Sequence, residues 1–285
     1  MKIQRVHALW FSPVGHTKEV VTRAARLLAE PLSCAVEEDD FTLPAARTEK
    51  RVFAADEAVV FGVPTYAGRV PNKLLPFVQT LFEGNGTPAI AVVTFGNRSY
   101  DESLKELCLE LNTHGFWTLA AGAFVCEHVM SEGLGAGRPD EADMEKLREM
   151  TLAAAKVMRD TKDGEVPPPV RVSDSEEVGP YYRPLEENGE AANFLKAKPV
   201  TDLAGCIHCG VCAEVCPFGS IDPGDVSQTP GICVKCHACV RKCPVSVKFF
   251  DDPSLRSHIK MLEREFARPA QSKIFVCDHG NDSAR

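Results

Sequence analysis

The sequence predicts an α/β protein: a five-stranded parallel sheet with helices on both faces, followed by a second, much smaller cysteine-rich domain. Three observations predict it. Up to residue 160, short apolar runs alternate with segments of helical apolar spacing, the pattern of a parallel sheet covered by crossover helices. From 161 to 199 that pattern stops amid prolines, glycines and acids. Eight of the twelve cysteines then fall between Cys206 and Cys243. A chain of 285 residues is long for one compact domain and comfortable for two.

The elements follow in order. The apolar run Val6 to Phe11 reads as a buried strand, and Thr17 to Ala29 places Val20, Val21, Ala24, Ala25, Leu27 and Leu28 on one helical face. Ser33 to Phe41 is a weaker strand. Ala58 to Phe61 is the third strand, with a helix over about Asn72 to Phe82. Ala89 to Phe95 and Leu119 to Val125 complete the five, with helices over Asp101 to Asn112 and Asp140 to Arg159, the last opened by Pro139. Right-handed crossovers leave few topologies for such a chain. Cys34, Cys108, Cys126 and Cys277 read as small apolar core residues.

In such a sheet a ligand sits beyond the carboxyl ends of the strands, where the strand order reverses. The first loop there, Ser12-Pro13-Val14-Gly15-His16-Thr17, runs into a helix N-terminus, which aims backbone N–H groups and the helix dipole at an anion. It resembles the flavodoxin phosphate loop, (S/T)-x-T-G-x-T, through Ser12, Gly15 and Thr17, and departs from it at Val14, where one hydroxyl contact is lost. The third loop holds Pro64, Thr65, Tyr66, Ala67 and Gly68. In flavodoxins the loop after strand three lies against the isoalloxazine ring, so the resemblance implies Tyr66 as a stacking aromatic, with Gly68 permitting close backbone approach. The fourth runs from Phe95 through Gly96 and Asn97 to Tyr100. Here the resemblance implies backbone contacts to the ring edge and Tyr100 as a second flanking aromatic. These three loops together imply FMN as cofactor rather than FAD.

The fifth loop, Cys126 to Pro139, contains G-x-G-x-G but has Arg138 where a dinucleotide fingerprint needs its third glycine. It reads as a glycine-rich lid, with an anion contact by Arg138 as the sharper alternative. Cys126 and His128 also raise Cys–His nucleophilic catalysis, against chance placement at a strand end. Residues 161–199 read as a Pro- and acid-rich linker. From 160 to 199 there are nine acidic and five basic residues, a composition that favours extended chain. Tyr181, Tyr182, Phe194 and Leu195 are candidates to dock it as a strap. Residues 251–285 read as a C-terminal helix, Leu255 to Ala267, packed back on the body, and a tail with one more apolar run, Ile274 to Val276.

Residues 200–250 contain C-x2-C-x2-C-x3-C-P twice, at Cys206, Cys209, Cys212 and Cys216-Pro217, and at Cys233, Cys236, Cys239 and Cys243-Pro244. Three thiolates at this spacing let one tight loop hold three corners of a cubane, and the fourth cysteine serves the other cluster. The expected ligand sets are therefore Cys206, Cys209, Cys212 and Cys243 for cluster I, and Cys233, Cys236, Cys239 and Cys216 for cluster II. Zinc would favour paired C-x2-C units on a longer loop, and disulfides or free thiols would not need this spacing. The segment resembles the bacterial dicluster ferredoxins, which implies a small α+β domain carrying two [4Fe-4S] clusters. Lys235, Arg241, Lys242 and Lys248 gather around the second run, Asp202 and Glu214 near the first. That distribution favours the reduced state of cluster II. His208 and His237 are expected beside the clusters rather than bound to them.

A net charge of −8 argues against a nucleic-acid surface, and no apolar run is long enough to span a membrane. The N-terminus lacks the features of a signal peptide. Metal-spaced cysteines point to a reducing cytoplasm, and oxygen-sensitive clusters to an anaerobic host. The whole reading is an electron-transfer protein joining a two-electron flavin to one-electron clusters, served by a ferredoxin or a larger oxidoreductase. Two alternatives stand beside it: an FMN-dependent reductase of a small molecule, and a cluster-binding redox module without flavin.

Overall fold

The computed structural model describes residues 1–162, 165–166, 168–175 and 177–277. Its first domain carries β1 (Arg5–Trp10), α1 (His16–Leu32), β2 (Ala35–Asp40), β3 (Arg51–Phe53), β4 (Glu57–Pro64), α2 (Leu75–Leu81), β5 (Phe82–Gly84), β6 (Thr87–Phe95), α3 (Ser103–Thr113), β7 (Phe116–Val125) and α4 (Glu141–Asp160). The cysteine-rich part carries β8 (Pro199–Thr201), α5 (Val211–Glu214), α6 (Ala238–Arg241) and β9 (Lys248–Phe250), and α7 (Pro253–Glu265) and β10 (Lys273–Val276) follow.

Five parallel strands stand in the order β2-β1-β4-β6-β7. Counting only these strands, that is 2-1-3-4-5, the flavodoxin-like doubly wound order. Every residue of β6 and β7 is buried, as both-face coverage requires. The helices α1 and α4 pack on each other and on the sheet, while α3 packs on β6 and β7. The order reverses beside β1 and β4, so their carboxyl-end loops flank the crevice.

The main sheet has six strands rather than the five expected. The apolar tail run returns as β10 and pairs antiparallel with β7, from Lys273 opposite Ala123 to Val276 opposite Ala120. The reason is edge protection: without it the buried strand β7 would present an open row of N–H and C=O groups. Periodicity along the tail could not reveal this, because the pairing spans some 150 residues of sequence. Asp143 and Arg138 hold β10 in place. Arg138 forks onto the Asp143 carboxylate with both bonds at 2.5 Å and reaches Ala270 O at 3.1 Å. Ser272 Oγ donates to Asp143 and accepts the Val125 N–H at 3.0 Å. Arg138 is therefore occupied as a fastener, which removes it as an anion contact. The region after β2 also holds a feature not expected, a short parallel pair of β3 and β5, and α2 is correspondingly shorter than its apolar spacing suggested.

The acidic segment is a docked strap over most of its described length. Val170 N–H bonds to Thr118 O at 2.8 Å, and Gly179 N–H to Glu102 at 3.1 Å. Tyr181 donates to Val70 O at 3.2 Å under the Arg69 guanidinium, and Tyr182 lies 3.8 Å below Arg98. Phe194 packs on His258. Leu195 does not dock; its side chain is 85% exposed.

The cysteine-rich part is clamped to the first domain at two points. Arg47, almost fully buried among Phe11, Phe77 and Phe218, donates to Phe41 O, Thr42 O and Pro217 O. Arg241 donates to the carbonyls of His128, Val129 and Ser131 at 3.1–3.3 Å. A buried guanidinium, Arg47, and an exposed one, Arg241, each donating to several carbonyls at once, define one relative position of the two parts.

Candidate functional site

The loop after β1 enters α1 through Gly15, whose φ of 106° is left-handed. No atom stands near the position of an added Cβ, so glycine is needed there for backbone conformation rather than for room. Ser12 Oγ accepts the Lys18 N–H at 3.0 Å, which leaves its hydroxyl proton free for an acceptor. The Thr17 and Thr94 hydroxyls lie 2.8 Å apart and tie α1 to the end of β6. Burial lowers the His16 imidazole against the pull of Glu127, so it stands neutral at pH 7.

After β4 the chain makes a tight two-residue turn. Tyr66 N–H bonds to Arg69 O at 2.9 Å, and Arg69 N–H returns to Tyr66 O at 3.1 Å. Ala67 and Gly68 have φ of 49° and 76°, the double left-handed geometry of a type I′ turn. Any side chain at position 68 would run into Asp101. The turn presents Tyr66 at the crevice.

These loops enclose a cavity of about 230 Å³. Of the residues singled out from sequence, Ser12, Val14, His16, Thr17, Pro64, Thr65, Tyr66, Ala67, Gly68, Phe95 and Gly96 line it. Gly15, Asn97 and Tyr100 do not. Tyr100 packs against Phe95, ring centroids 5.5 Å apart, and is not a second flanking aromatic in the lining. The Asn97 amide instead bonds Phe266 O at 2.7 Å, Arg268 O at 3.0 Å and Ala270 N–H at 2.9 Å, fastening the chain after α7.

The roof of the cavity was not legible as such. It comes from Arg98, Tyr182, Pro184 and Phe194, from Val234 and Lys235 beside the second cysteine run, and from His258 and Leu262 of α7. The tyrosine pair and Phe194 carried a docking signal, but nothing in the sequence says that they close this crevice. Cys126 and His128 also line it. Burial drives the Cys126 thiol far up and pushes His128 down to about 4, with its Nδ1 accepting Met130 N–H at 3.3 Å. With a neutral thiol and a neutral imidazole there is no activated nucleophile.

Each cysteine run curls by the same device. The residues before and after its central cysteine are left-handed: His208 and Gly210 at φ 54° and 78°, Lys235 and His237 at 55° and 59°. One small cavity is lined by Cys206, Cys209, Cys212 and Cys243, and a second by Cys216, Cys233, Cys236 and Cys239. Each ring thus takes three sulfurs from one run and the fourth from the other. Among the described residues no three or more His, Cys, Asp or Glu side chains converge on a single-ion position; the cysteines ring cavities instead.

Backbone donors support the sulfurs. His208 N–H reaches Cys206 Sγ at 3.4 Å, and Ser220 N–H reaches Cys216 Sγ at 3.2 Å. Burial would raise the Cys243 thiol, but N–H groups of Val245, Val247, Lys248 and Ser246 outweigh it and hold the group below the ordinary range. Lys248, expected beside the second ring, lines the cavity of the first, nearly fully buried, and donates to Val226 O. It also lies close enough to Cys239 to favour that thiolate, so its charge is shared between the rings. His237 stacks on Phe250, centroids 4.6 Å apart, and burial pushes it down to about 3, a neutral packing residue.

The large cavity and the second cysteine ring share a wall. Val234 lines both. On the other side of that wall stands Tyr66; burial, then the charges of Cys236 and Cys233, raise its phenol well above the ordinary range.

Known proteins similar to this chain match it in separate stretches. Residues 199–222 and 230–246 each match a 4Fe-4S binding domain. Over 67 residues the chain is 34% identical to the methylamine utilization ferredoxin-type protein MauM of Paracoccus denitrificans, a match covering 19% of this chain and 30% of that protein's length. Over its first part the chain is similar to an archaeal flavodoxin, with 12% identity, TM-score 0.41, 55% of this chain and 99% of that one. A flavodoxin of Streptococcus pneumoniae TIGR4 gives 17% identity, TM-score 0.39, 54% and 99%. The C-terminal part is a ferredoxin-type 4Fe-4S segment joined to a flavodoxin-like fold. Among the described residues no helix is long and apolar enough to cross a membrane.

Proposed function

We propose that this protein is a converter between one-electron and two-electron carriers in a reducing cytoplasm, holding FMN in the large cavity and a [4Fe-4S] cluster in each cysteine ring. One observation carries the reading: the crevice at the carboxyl ends of β1, β4 and β6 opens onto the polypeptide that forms the second cysteine ring, with Val234 common to both. A flavin takes one or two electrons and a [4Fe-4S] cluster one, so adjacency of the two sites is what such a converter requires.

The residues fit both groups. Eight cysteines in two crossed rings of four supply the thiolate set of two cubanes. The N-terminus of α1, with Gly15 and the Ser12 hydroxyl, suits a terminal phosphate, and Tyr66 suits an aromatic ring system. The chain's own contribution is to orient these groups and to exclude water: the strap, α7 and the second cysteine loop cover the cavity. Anaerobic purification followed by cofactor analysis tests the reading. It should give about eight irons, eight acid-labile sulfides and one FMN per chain, with slow or absent oxidation of NADPH. FAD in place of FMN, or fast stoichiometric reduction by NADPH alone, would contradict it; the latter would favour a self-contained reductase.

A further inference from the structure

The two cysteine rings stand in different surroundings. The ring of Cys216, Cys233, Cys236 and Cys239 is the inner one: Cys236 and Cys239 are buried, and Val234 separates it from the large cavity opposite Tyr66. The ring of Cys206, Cys209, Cys212 and Cys243 is the outer one. Its cavity shares no lining residue with the large cavity. Cys209 is exposed, Ile207 is 60% exposed, and Leu203 and Val245 are exposed nearby. Between the rings pack Cys212, Ile221, Val226 and Cys239, with Lys248 close to sulfurs of both. The large cavity is roofed by Tyr182, Phe194, Lys235 and His258, so a protein partner meets the roof there; of the eight ring cysteines, the exposed one is Cys209 of the outer ring.

We propose that the protein has one internal and one external electron junction: Tyr66 and Val234 join the large cavity to the inner ring, and the Leu203–Ile207–Cys209 face admits the one-electron protein carrier. This rests on the functional reading above. Each passage moves a single electron and breaks no bond. Two equivalents of a reduced iron–sulfur carrier are oxidised for every two electrons, with their two protons from solvent, delivered to the cavity. Tyr66 acts as a positioning residue, filling the gap between the cavity and the Cys233–Cys236 loop. The outer face serves the carrier because it combines exposed apolar side chains with a ring near the surface, and short distance decides transfer.

Stopped-flow mixing of the anaerobic holoprotein with a chemically reduced, negatively charged bacterial ferredoxin tests this, with cluster and flavin absorbance read separately. In the unmodified protein the clusters should bleach first and the flavin second. The double variant Leu203→Glu and Ile207→Glu should slow the first phase about tenfold by like-charge repulsion of the probe and leave the second unchanged. Tyr66→Ala should do the reverse, with Tyr66→Phe restoring the second phase. Iron and flavin contents are measured on every sample. An unmodified protein purified without flavin overturns the functional reading and this proposal with it. Bound flavin that bleaches before or without the clusters, or an outer-face variant with an unchanged first phase, overturns the junctions alone.

Discussion

Arg47 and Gly15 show how much one residue decides here. Arg47 gives its guanidinium to three carbonyls, one of them Pro217 O, next to Cys216 of the inner ring. Its burial lowers its pKa, yet the π faces of Phe11, Phe77 and Phe218 and the carbonyls keep the cation acceptable. Arg47→Ala strands those carbonyls, and we expect a loss of about 3 kcal/mol in urea unfolding, with the inner cluster the first to lose iron. An unchanged midpoint would show that the clamp carries no stability. Gly15→Asp puts a charge and a strained φ at the proposed phosphate site, so flavin binding should be abolished in a fluorescence titration. Val14→Thr should tighten it by about 1.5–3 kcal/mol, the worth of one hydrogen bond to a charged group. Loss of affinity in Val14→Thr would place the phosphate elsewhere. Gly15 and the cysteines were legible because backbone conformation and ligand spacing are local. Arg47 was not, since its partners lie up to 170 residues away.

At the scale of elements, the C-terminal strand β10 and the strap were the features least readable from sequence. Neither has a periodic pattern of its own, and each is defined by what it docks on. The clamp on β10 is sensitive to acid. Burial alone would raise the Asp143 carboxyl, but bonds from Arg138, Ser272 and the Asp140 N–H outweigh it and hold the group below the ordinary aspartate range. A depressed carboxylate stabilises the fold above its unfolded pKa, near 3.9, and that contribution fades as pH falls through the folded value. Hydrogen exchange at Ile274 to Val276 should therefore accelerate below about pH 4, earlier than exchange in β6. Equal acid sensitivity of both strands would remove Asp143 from the account. For the strap, contacts from Gly179 onward hold it to Arg69, Ala67 and Arg98. Cleavage near Pro168 should accordingly leave flavin and iron in place. Release of flavin on that cut would show that the upstream segment, rather than these contacts, keeps the cavity closed.

For the whole molecule, the strand alternation of the first 160 residues and the doubled cysteine run already implied two redox modules. What the sequence could not express was their relation. The shared wall at Val234 and the roof over the cavity arise from contacts between segments far apart in the chain, whereas the crossed rings followed from the cysteine spacing itself. The crossing has a direct consequence. Cys216→Ser lies in the first run but should damage the cluster of Cys233, Cys236 and Cys239, whereas Cys209→Ser should affect the other. Electron paramagnetic resonance of the two reduced variants reads this, and a Cys216→Ser protein with an intact inner cluster would refute the crossing.

Two one-electron sites and one two-electron site should share this chain. An anaerobic reductive titration of the holoprotein, counting electrons against cluster and flavin absorbance, tests it most directly. The titration should end at about four electrons per chain, two bleaching the clusters and two the flavin. An endpoint at two electrons, with cluster bleaching alone in protein supplied with FMN, would contradict it.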